Sequence, residues 1–379
     1  MNPKLKIAYY APLKPPDHPI PSGDRQMSRM LLNALLRAGY DAFLASRLIS
    51  YSKRHAAEHM EARIAAAREE ADRLVDSWKK EDKQPDLWFC YHPYDKSPDW
   101  LGMEICQRLN IPMITAEPCK TGQGPNGEWI PWRAEAQRGI AMANMNIVMT
   151  PADFEYVSTF IEPEKIALMD PFIDQDLLVE TPIEEDPWPD EPDIVRLLTV
   201  GMMRPGAKLD SYKVLASALA KLENQNWFLV IAGGGPGRDM VEAEFDPSVK
   251  NRIHFAGEVE AGTAIGLMEK ADVLAWPGCR EAYGMVYLEA GSRGVPAAAL
   301  DNMGVPLVVV DGKTGLLADP ENPGDYARIL DRLIADKVLR EKLGKGAKTF
   351  VSEERSGQMA AKRLSQIIER VMAKAGAPS

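Results

Sequence analysis

The sequence predicts an α/β protein with two domains. Apolar, strand-like runs alternate with helical patterns along the whole chain, which is typical of parallel sheets with crossover helices. The chain has 379 residues, more than one hydrophobic core usually holds. An acidic stretch interrupted by prolines lies near the middle, where a domain boundary is expected. Together these observations predict two Rossmann-like domains that face each other.

The first series of elements predicts an N-terminal domain over residues 1–175. Its first helix, 24–39, follows the first strand and ends at a glycine. A long charged helix, 54–83, carries acids that balance its bases, which favours a solvated helix and leaves peripheral membrane contact as the alternative. The predicted strands are 5–11, 41–46, 86–92, 111–117 and 145–150.

The stretch "DQDLLVETPIEEDPWPDEPD" contains four prolines and is acidic, so we predict a linker over 176–194. A second alternating series then predicts a C-terminal domain over 195–355, followed by a final helical segment, 356–379. Its predicted strand-like runs are 195–201, 227–237, 252–259, 271–277 and 295–300.

Composition excludes several classes of partner. A net charge of −10 argues against a nucleic-acid partner, so an anionic ligand requires a local basic site. Four cysteines without a CxxC pair fit a reducing compartment and indicate neither a zinc site nor a disulfide framework. The sequence contains no run of about 18 apolar residues, so it predicts no membrane span. The sequence gives no indication of the oligomeric state.

The stretch "CREAYGMVYLEAGSRGVP", residues 279–296, places two acids around the start of a predicted helix. Glu281 lies in the loop before this helix, and Glu289 lies about one and a half turns into it. Backbone N–H groups at the helix start have no intrahelical acceptor, so they can hold a phosphate. An acid, an amide cluster and a second acid suit a hydroxyl, a phosphate and a second hydroxyl, as in a sugar diphosphate.

The same stretch resembles the donor-site signature of the GT-B retaining glycosyltransferases of family 4. The shared pattern is P-x-x-x-E-x-x-G-x-x-x-L-E-A-x-x-x-G-x-P, and "DGKTGLLADPENPGDYARIL" continues the similarity downstream. Upstream, "TVGMMRPGAKLDSYKVLASALAKL", "FLVIAGGGPGRDM" and "NRIHFAGEVEAGTAIGLMEKADV" are similar to the preceding blocks. The resemblance covers nearly all of 195–335 and is much weaker over the first half.

The resemblance implies a role for each matching residue. Glu281 would bind hydroxyls of the transferred sugar, Glu289 would bind the nucleotide ribose, and Arg204 and Lys208 would neutralise the diphosphate. The remaining donor-binding positions would be the helix start, the loop near the base and one glycine of the first domain: Ala282, Tyr283, Gly284, Met285, Val286, Gly257, Glu258, Val259 and Gly23.

The chain also departs from the family pattern. Met202 stands where the family has an arginine, and "DNMG" replaces a double glycine. In the first domain, Glu117 stands where many relatives have a histidine, and His92 is the nearest alternative. Glu117 is interpreted as a general base, an acceptor ligand or a capping acid, and His92 as a catalytic or a structural histidine. Two tryptophans, Trp129 and Trp132, are interpreted as acceptor-stacking or core residues.

The resemblance implies a hexosyltransferase-type enzyme that moves a sugar from a nucleoside diphosphate sugar to a glycan, lipid-linked or small-molecule acceptor with retention. The donor would be UDP- or GDP-linked, with UDP favoured, and neither a cofactor nor a metal would be needed. The GT-B fold would bring the C-terminal helix back to the N-terminal domain, which would bind the acceptor. We expect a cytoplasmic enzyme of polysaccharide biosynthesis, at the inner membrane face if its acceptor is lipid-linked. The alternatives are an epimerase or phosphorylase of the same architecture and a noncatalytic sugar-nucleotide binding subunit.

Overall fold

A computed structural model describes residues 4–20, 22–120, 127–183 and 185–376. The chain divides into two compact units. Unit 1 contains Met1–Asp170 together with Gly357–Ser379, and unit 2 contains Pro171–Ser356.

Each unit is built on a six-stranded parallel sheet. The strands of unit 1 are Lys6–Tyr10 (β1), Asp41–Leu44 (β2), Leu87–Tyr91 (β3), Met113–Ala116 (β4), Met145–Val148 (β5) and Ile166–Leu168 (β6). The strands of unit 2 are Val195–Val200 (β7), Trp227–Ala232 (β8), Ile253–Gly257 (β9), Val273–Ala275 (β10), Ala297–Leu300 (β11) and Gly315–Ala318 (β12). The spatial orders are β2-β1-β3-β4-β5-β6 and β12-β11-β10-β7-β8-β9. This architecture confirms the predicted α/β class with two Rossmann-like units.

Helices connect the strands in both units, as parallel pairing requires. The helices in the first segment of unit 1, Met1–Asp170, are Gly23–Arg37 (α1), Ala57–Glu81 (α2), Trp100–Leu109 (α3), Ile130–Met142 (α4) and Pro151–Ser158 (α5). Those of unit 2 are Ala207–Leu219 (α6), Arg238–Glu244 (α7), Ala261–Lys270 (α8), Met285–Ser292 (α9), Asp325–Ala335 (α10) and Lys337–Glu354 (α11). The last helix, Gly357–Ala375 (α12), belongs to unit 1.

Helix α1 begins where its sequence supplies a cap. The hydroxyl of Ser22 accepts a hydrogen bond from the backbone N–H of Arg25 at 3.2 Å, which satisfies one of the first N–H groups of the helix. One face of α1 is buried, including Met27, Met30 and Leu31. This cap sets the residue at which α1 begins.

The long helix α2 is amphipathic. Its buried side chains lie between Ala67 and Trp78, including Leu74 and Val75, while most of its charged side chains are exposed. Throughout the described part of the chain, no helix combines the length and the apolar character needed to cross a membrane.

The final helix returns to unit 1, as the resemblance implied. Arg363 donates from Nε to the carbonyl of Leu168 at 2.9 Å, and Arg370 donates to the carbonyl of Glu164 at 2.9 Å. The buried face of α12 includes Leu364 and Ile368 and packs against α1. Apolar burial and these arginine contacts therefore join the C-terminal helix to the first segment of the chain within one unit.

The described residues of the predicted linker 176–194 pack against unit 2. Trp188 is only 4% exposed and donates its indole N–H to the carbonyl of Leu197 at 3.3 Å. The backbone N–H of Thr181 donates to the carbonyl of Gly262 at 3.0 Å. An apolar anchor within an acidic, proline-rich stretch thus makes this segment part of unit 2, which begins at Pro171.

Candidate active site

The carboxyl ends of β7 and β10 form the topological switch point of unit 2. Strand β7 continues to β8 on one side, whereas β10 lies on its other side. Open α/β sheets bind ligands where the strand order reverses in this way. The loops 201–206 and 276–284 leave the two strands at this point, so the predicted donor-binding residues that they carry meet at one edge of the sheet.

Lys208 and Glu281 form an ion pair across this switch point. Lys208 lies in the first turn of α6, and its ammonium group donates to Oε1 of Glu281. The indole N–H of Trp276 donates to the same oxygen at 3.2 Å, and the Lys208 ammonium lies 5.2 Å from the centre of the Trp276 ring. The side chains of Lys208 and Glu281 are 19% and 17% exposed. Trp276 and Lys208 therefore hold Glu281 as an oriented, largely desolvated carboxylate.

Helix α9 begins at Met285, four residues after Glu281. Gly284 is its N-cap residue and has no side chain that could accept hydrogen bonds from the first N–H groups of the helix. Ala282 is exposed and Tyr283 is buried, while Gly284, Met285 and Val286 are intermediate in exposure. The Tyr287 hydroxyl donates to the carbonyl of Trp276 at 2.9 Å and ties the first turn of α9 to the end of β10.

Glu289 lies farther along α9 and is partly buried. Burial raises the pKa of Glu289 from 4.5 to about 7. Desolvation is the cause of this shift, so burial stabilises the neutral carboxyl. A carboxyl in this state can both donate and accept hydrogen bonds near neutral pH.

The loop after β7 carries the predicted diphosphate-binding arginine. Arg204 is exposed, Met202 is 48% exposed, and Met203 between them is buried. The backbone N–H of Met203 donates to the carbonyl of Gly234 at 2.8 Å. This hydrogen bond ties the loop to the glycine run that follows β8.

The residues predicted to lie near the base follow β9. Gly257 ends this strand, Glu258 is exposed and Val259 is intermediate in exposure. The backbone N–H of Gly233 donates to the carbonyl of Gly257 at 2.7 Å. The structure therefore places these three residues on the opposite side of β7 and β8 from Glu281, and their base-binding role stays a prediction.

The "DNMG" loop after β11 lies against the loop that carries Glu281. The backbone N–H of Gly304 donates to the carbonyl of Glu281 at 3.3 Å. A Cβ atom at Gly304 would lie 1.4 Å from the carbonyl oxygen of Ala282, so a side chain does not fit at this position. Met303 has a φ of +45° and is 61% exposed.

In unit 1, His92 and Glu117 lie together at the carboxyl edge of the sheet. His92 follows β3 and Glu117 follows β4, and Nδ1 of His92 lies 3.8 Å from Oε2 of Glu117. Burial lowers the pKa of His92, but Cys119, Glu117 and Asp24 outweigh it and raise that pKa to about 10. The structure thus brings both candidates into one pair, which their separation along the chain did not predict.

The other predictions in unit 1 have mixed outcomes. Gly23 is the first residue of α1, and its approach to a diphosphate stays a prediction. Trp132 is fully buried and Trp129 is 6% exposed, and both lie in the apolar cluster with Trp100 and Trp88. Core packing, the second of the two interpretations, therefore describes both tryptophans.

A metal site is not apparent where the structure can be described. Within those residues, no group of three or more His, Cys, Asp or Glu side chains is placed to hold a metal ion. The acidic stretch near the middle of the chain opens with "DQD", residues 174–176. These residues lie at a short turn, where Oδ1 of Asp174 accepts from the backbone N–H of Asp176 at 3.3 Å.

Sequence reasoning missed two contacts that shape the site. It treated Lys208 and Glu281 as ligands of different parts of the donor, whereas they bind each other in the structure. It also missed Trp276 and the hydroxyl of Ser211, which accepts from the backbone N–H of Cys279 at 2.9 Å. An available signal was the position of Trp276 directly after a buried strand, because such strand ends face the switch point.

Solved structures define the fold class. The chain is similar to sucrose-phosphate synthase from Thermosynechococcus elongatus, with 17% identity, a TM-score of 0.71, and coverage of 98% of this chain and 100% of that one. It is also similar to Anabaena HepE in complex with UDP-glucose, with 14% identity, a TM-score of 0.65, and coverage of 97% and 100%. The chain has the GT-B fold of these neighbours.

The sequence comparisons define the domain. Residues 193–350 match the family described as glycosyl transferases group 1, and unit 2 contains this domain. A D-inositol 3-phosphate glycosyltransferase from Corynebacterium jeikeium is 30% identical over 186 residues, which cover 46% of this chain. The matched stretch covers 44% of that relative, less than half of its length.

Proposed function

We propose that this chain is a metal-independent glycosyltransferase that moves a sugar from a nucleoside diphosphate sugar to a hydroxyl acceptor with retention of configuration. The observation that carries this proposal is the Lys208–Glu281 pair in front of the N-terminus of α9. A cation, a carboxylate and a helix start lie together at the switch point of a glycosyl transferases group 1 domain. These groups complement a phosphate bonded to a sugar.

Each side chain has a defined part in this proposal. Among the residues that the structure describes, Lys208 donates one of its three N–H groups to Glu281, so its charge is available to a diphosphate that replaces or shares this contact. The second oxygen of Glu281 accepts from a hydroxyl of the transferred sugar. Arg204 approaches the diphosphate from the exposed loop, and the neutral carboxyl of Glu289 binds the ribose hydroxyls.

The leaving diphosphate gains negative charge as the bond between sugar and phosphate breaks. Cationic side chains and the N-terminus of α9 stabilise that charge, which is the role that a metal ion has in many phosphate-handling enzymes. A phosphate oxygen accepts the proton of the incoming hydroxyl on the same face of the sugar, which gives retention. This assignment follows the family resemblance and requires no enzyme nucleophile.

We favour UDP as the nucleotide because a structural neighbour, Anabaena HepE, binds UDP-glucose. The acceptor is a saccharide, a lipid-linked glycan or a small polyol, and D-inositol 3-phosphate is the first compound to test because a relative is named for it. We place the activity in the cytoplasm, and at the inner membrane face if the acceptor is lipid-linked. Flotation with anionic vesicles tests that last point.

Binding and turnover are tested separately. A thermal-shift panel compares UDP, GDP, ADP and their glucose conjugates, because a ligand at about 100 times its Kd adds about 2.7 kcal/mol of stability. Release of UDP from UDP-glucose then measures turnover with and without D-inositol 3-phosphate. We expect Glu281→Gln to lower turnover by about 100-fold and to retain UDP binding.

The matched control is Glu321→Gln, which changes an exposed acid in the loop before α10 and should leave both measurements unchanged. Turnover of Glu281→Gln equal to that of the wild type would exclude the proposed role of Glu281. Binding of UDP-glucose without any turnover would instead support a noncatalytic binding subunit, and an epimerised donor would support an epimerase.

A further inference from the structure

Two non-glycine residues in unit 1 adopt left-handed backbone conformations at neighbouring strand ends. His92 has a φ of +59° and Glu117 has a φ of +54°. Both backbone N–H groups still continue the sheet pattern, His92 donating to the carbonyl of Ala116 at 2.7 Å and Glu117 donating to that of Ile147 at 2.7 Å. Such conformations are uncommon for non-glycine residues and concentrate at functional sites.

The sheet order places this pair beside the switch point of unit 1. The order reverses between β1 and β3, and His92 follows β3 directly. Asp24 lies in the first turn of α1, which follows β1. Ligands of open parallel sheets bind at such an edge, so the pair lies where unit 1 is expected to bind its own ligand.

Carboxylates from three elements surround His92. Its charged neighbours are Glu117 after β4, Asp24 on α1 and Asp153 on α5, and its Nε2 lies 4.0 Å from Sγ of Cys119. The rings of Tyr91 and Tyr94 flank the imidazole, with centroids at 5.5 and 5.1 Å.

The pairing partner of Nδ1 follows from its surroundings. The side chains of His92 and Glu117 are only 16% and 9% exposed. Within the residues that the structure describes, Nδ1 is buried without a hydrogen bond, and Oε2 of Glu117 at 3.8 Å is the carboxylate atom paired with it. A proton on Nδ1 is therefore stabilised by Glu117.

We propose that His92 is a positioning residue that remains protonated and holds Glu117 as an ionised, fixed acceptor for a hydroxyl group of the acceptor substrate. This inference rests on the proposed glycosyltransferase function and adds the class of acceptor that unit 1 recognises, a polyhydroxy compound. A charged carboxylate forms hydrogen bonds to hydroxyl groups about twice as strong as a neutral group does. The cation next to it keeps the carboxylate charged in a buried position.

The pair itself is tested by NMR on the full chain labelled with ¹³C-histidine. The chain has five histidines, and His92→Asn assigns the signal because asparagine tolerates a left-handed conformation. We expect His92 to remain protonated at pH 8 and its titration midpoint to fall by at least about one pH unit in Glu117→Gln. The matched control is Glu128→Gln, which removes the exposed partner of His55 at 2.6 Å and should leave the His92 signal unchanged.

A His92 midpoint near 6.5 in the wild type, or one that Glu117→Gln does not change, would overturn the pairing. The acceptor role is tested by UDP release from UDP-glucose with D-inositol 3-phosphate, myo-inositol or water, whichever is fastest in the wild type. We expect Glu117→Gln to raise the KM of a polyol about tenfold, or to lower release to water about tenfold, with the KM of UDP-glucose unchanged. His92→Gln should act in the same direction.

Wild-type kinetics in both variants would overturn the acceptor role. If the wild type binds none of the nucleotides and nucleotide sugars of the panel and releases no nucleoside diphosphate, the proposed function fails and the acceptor role fails with it. The histidine titration still decides the pair in that case, so the two failures are distinguishable.

Discussion

Replacement of Glu289 by glutamine should make unit 2 more stable at alkaline pH. The pKa of Glu289 is raised from 4.5 to about 7 by burial, so the folded state binds this proton more tightly than the unfolded state does. The contribution of Glu289 to the free energy of unfolding therefore falls as the pH rises from about 4.5 to about 7, and it is constant above that range. Each unit of pKa shift corresponds to about 1.4 kcal/mol, so the ionised carboxyl costs about 3 kcal/mol at pH 8.

Glutamine has nearly the same shape and carries no charge, so Glu289→Gln removes this cost. At pH 8 the variant should unfold in urea with a free energy about 3 kcal/mol above that of the wild type, and the two should converge near pH 4.5. For a unit of this size, 3 kcal/mol corresponds to an increase in Tm of about 6 to 12 °C. Glu321→Gln, at an exposed acid, is the control for a general effect of removing charge.

Urea denaturation at pH 5, 6, 7 and 8, followed by tryptophan fluorescence, measures the difference between the two proteins. Groups other than Glu289 titrate over the same range, but they titrate in both proteins and cancel in the difference. A difference that is the same at pH 5 and pH 8 would refute the desolvation of Glu289. A variant less stable than the wild type at pH 8 would indicate that the ionised carboxylate has a favourable partner.

Three further predictions concern the packing of Gly304, the cap of α1 and the charge of Lys208. Gly304→Ala should destabilise the protein by about 3 kcal/mol, because its Cβ would lie 1.4 Å from the carbonyl oxygen of Ala282; an unchanged Tm would contradict this. Ser22→Ala should cost about 1 kcal/mol in urea denaturation through loss of the α1 cap, whereas Ser22→Asp should retain it. Lys208→Met should weaken UDP binding at least tenfold in calorimetry, about 1.4 kcal/mol, since it removes the cation beside Glu281; equal affinity would exclude Lys208 from the diphosphate site.

The central strands were predictable because they are buried on both faces and read as continuous apolar runs. Strands β3 and β8 lie within predicted runs for this reason. The strands β6 and β12 were missed, and both are sheet edges of three and four residues. A short edge strand has only one neighbouring strand and contributes few residues to the core. Its stretch of sequence therefore contains too few apolar residues to indicate a strand.

The site was predictable in composition but only partly in geometry. The motif located Glu281 and Glu289 relative to α9, because residues of one loop and helix keep fixed spacings. The contact between Lys208 and Glu281 joins residues 73 positions apart and depends on β7 lying beside β10, which spacing along the chain does not encode. The same holds for the pairing of His92 with Glu117 across β3 and β4.

The glycines that follow β8 constrain how the proposed donor site can change. A Cβ atom at Gly233 would lie 1.9 Å from the carbonyl oxygen of Gly201, and one at Gly235 would lie 2.4 Å from that of Met203. Two main-chain segments thus run in direct contact, and the segment that carries Met202 cannot be lengthened or rebuilt without rebuilding its neighbour. Engineering of the proposed donor site should therefore proceed by exchanging exposed side chains on an unchanged backbone rather than by transplanting loops.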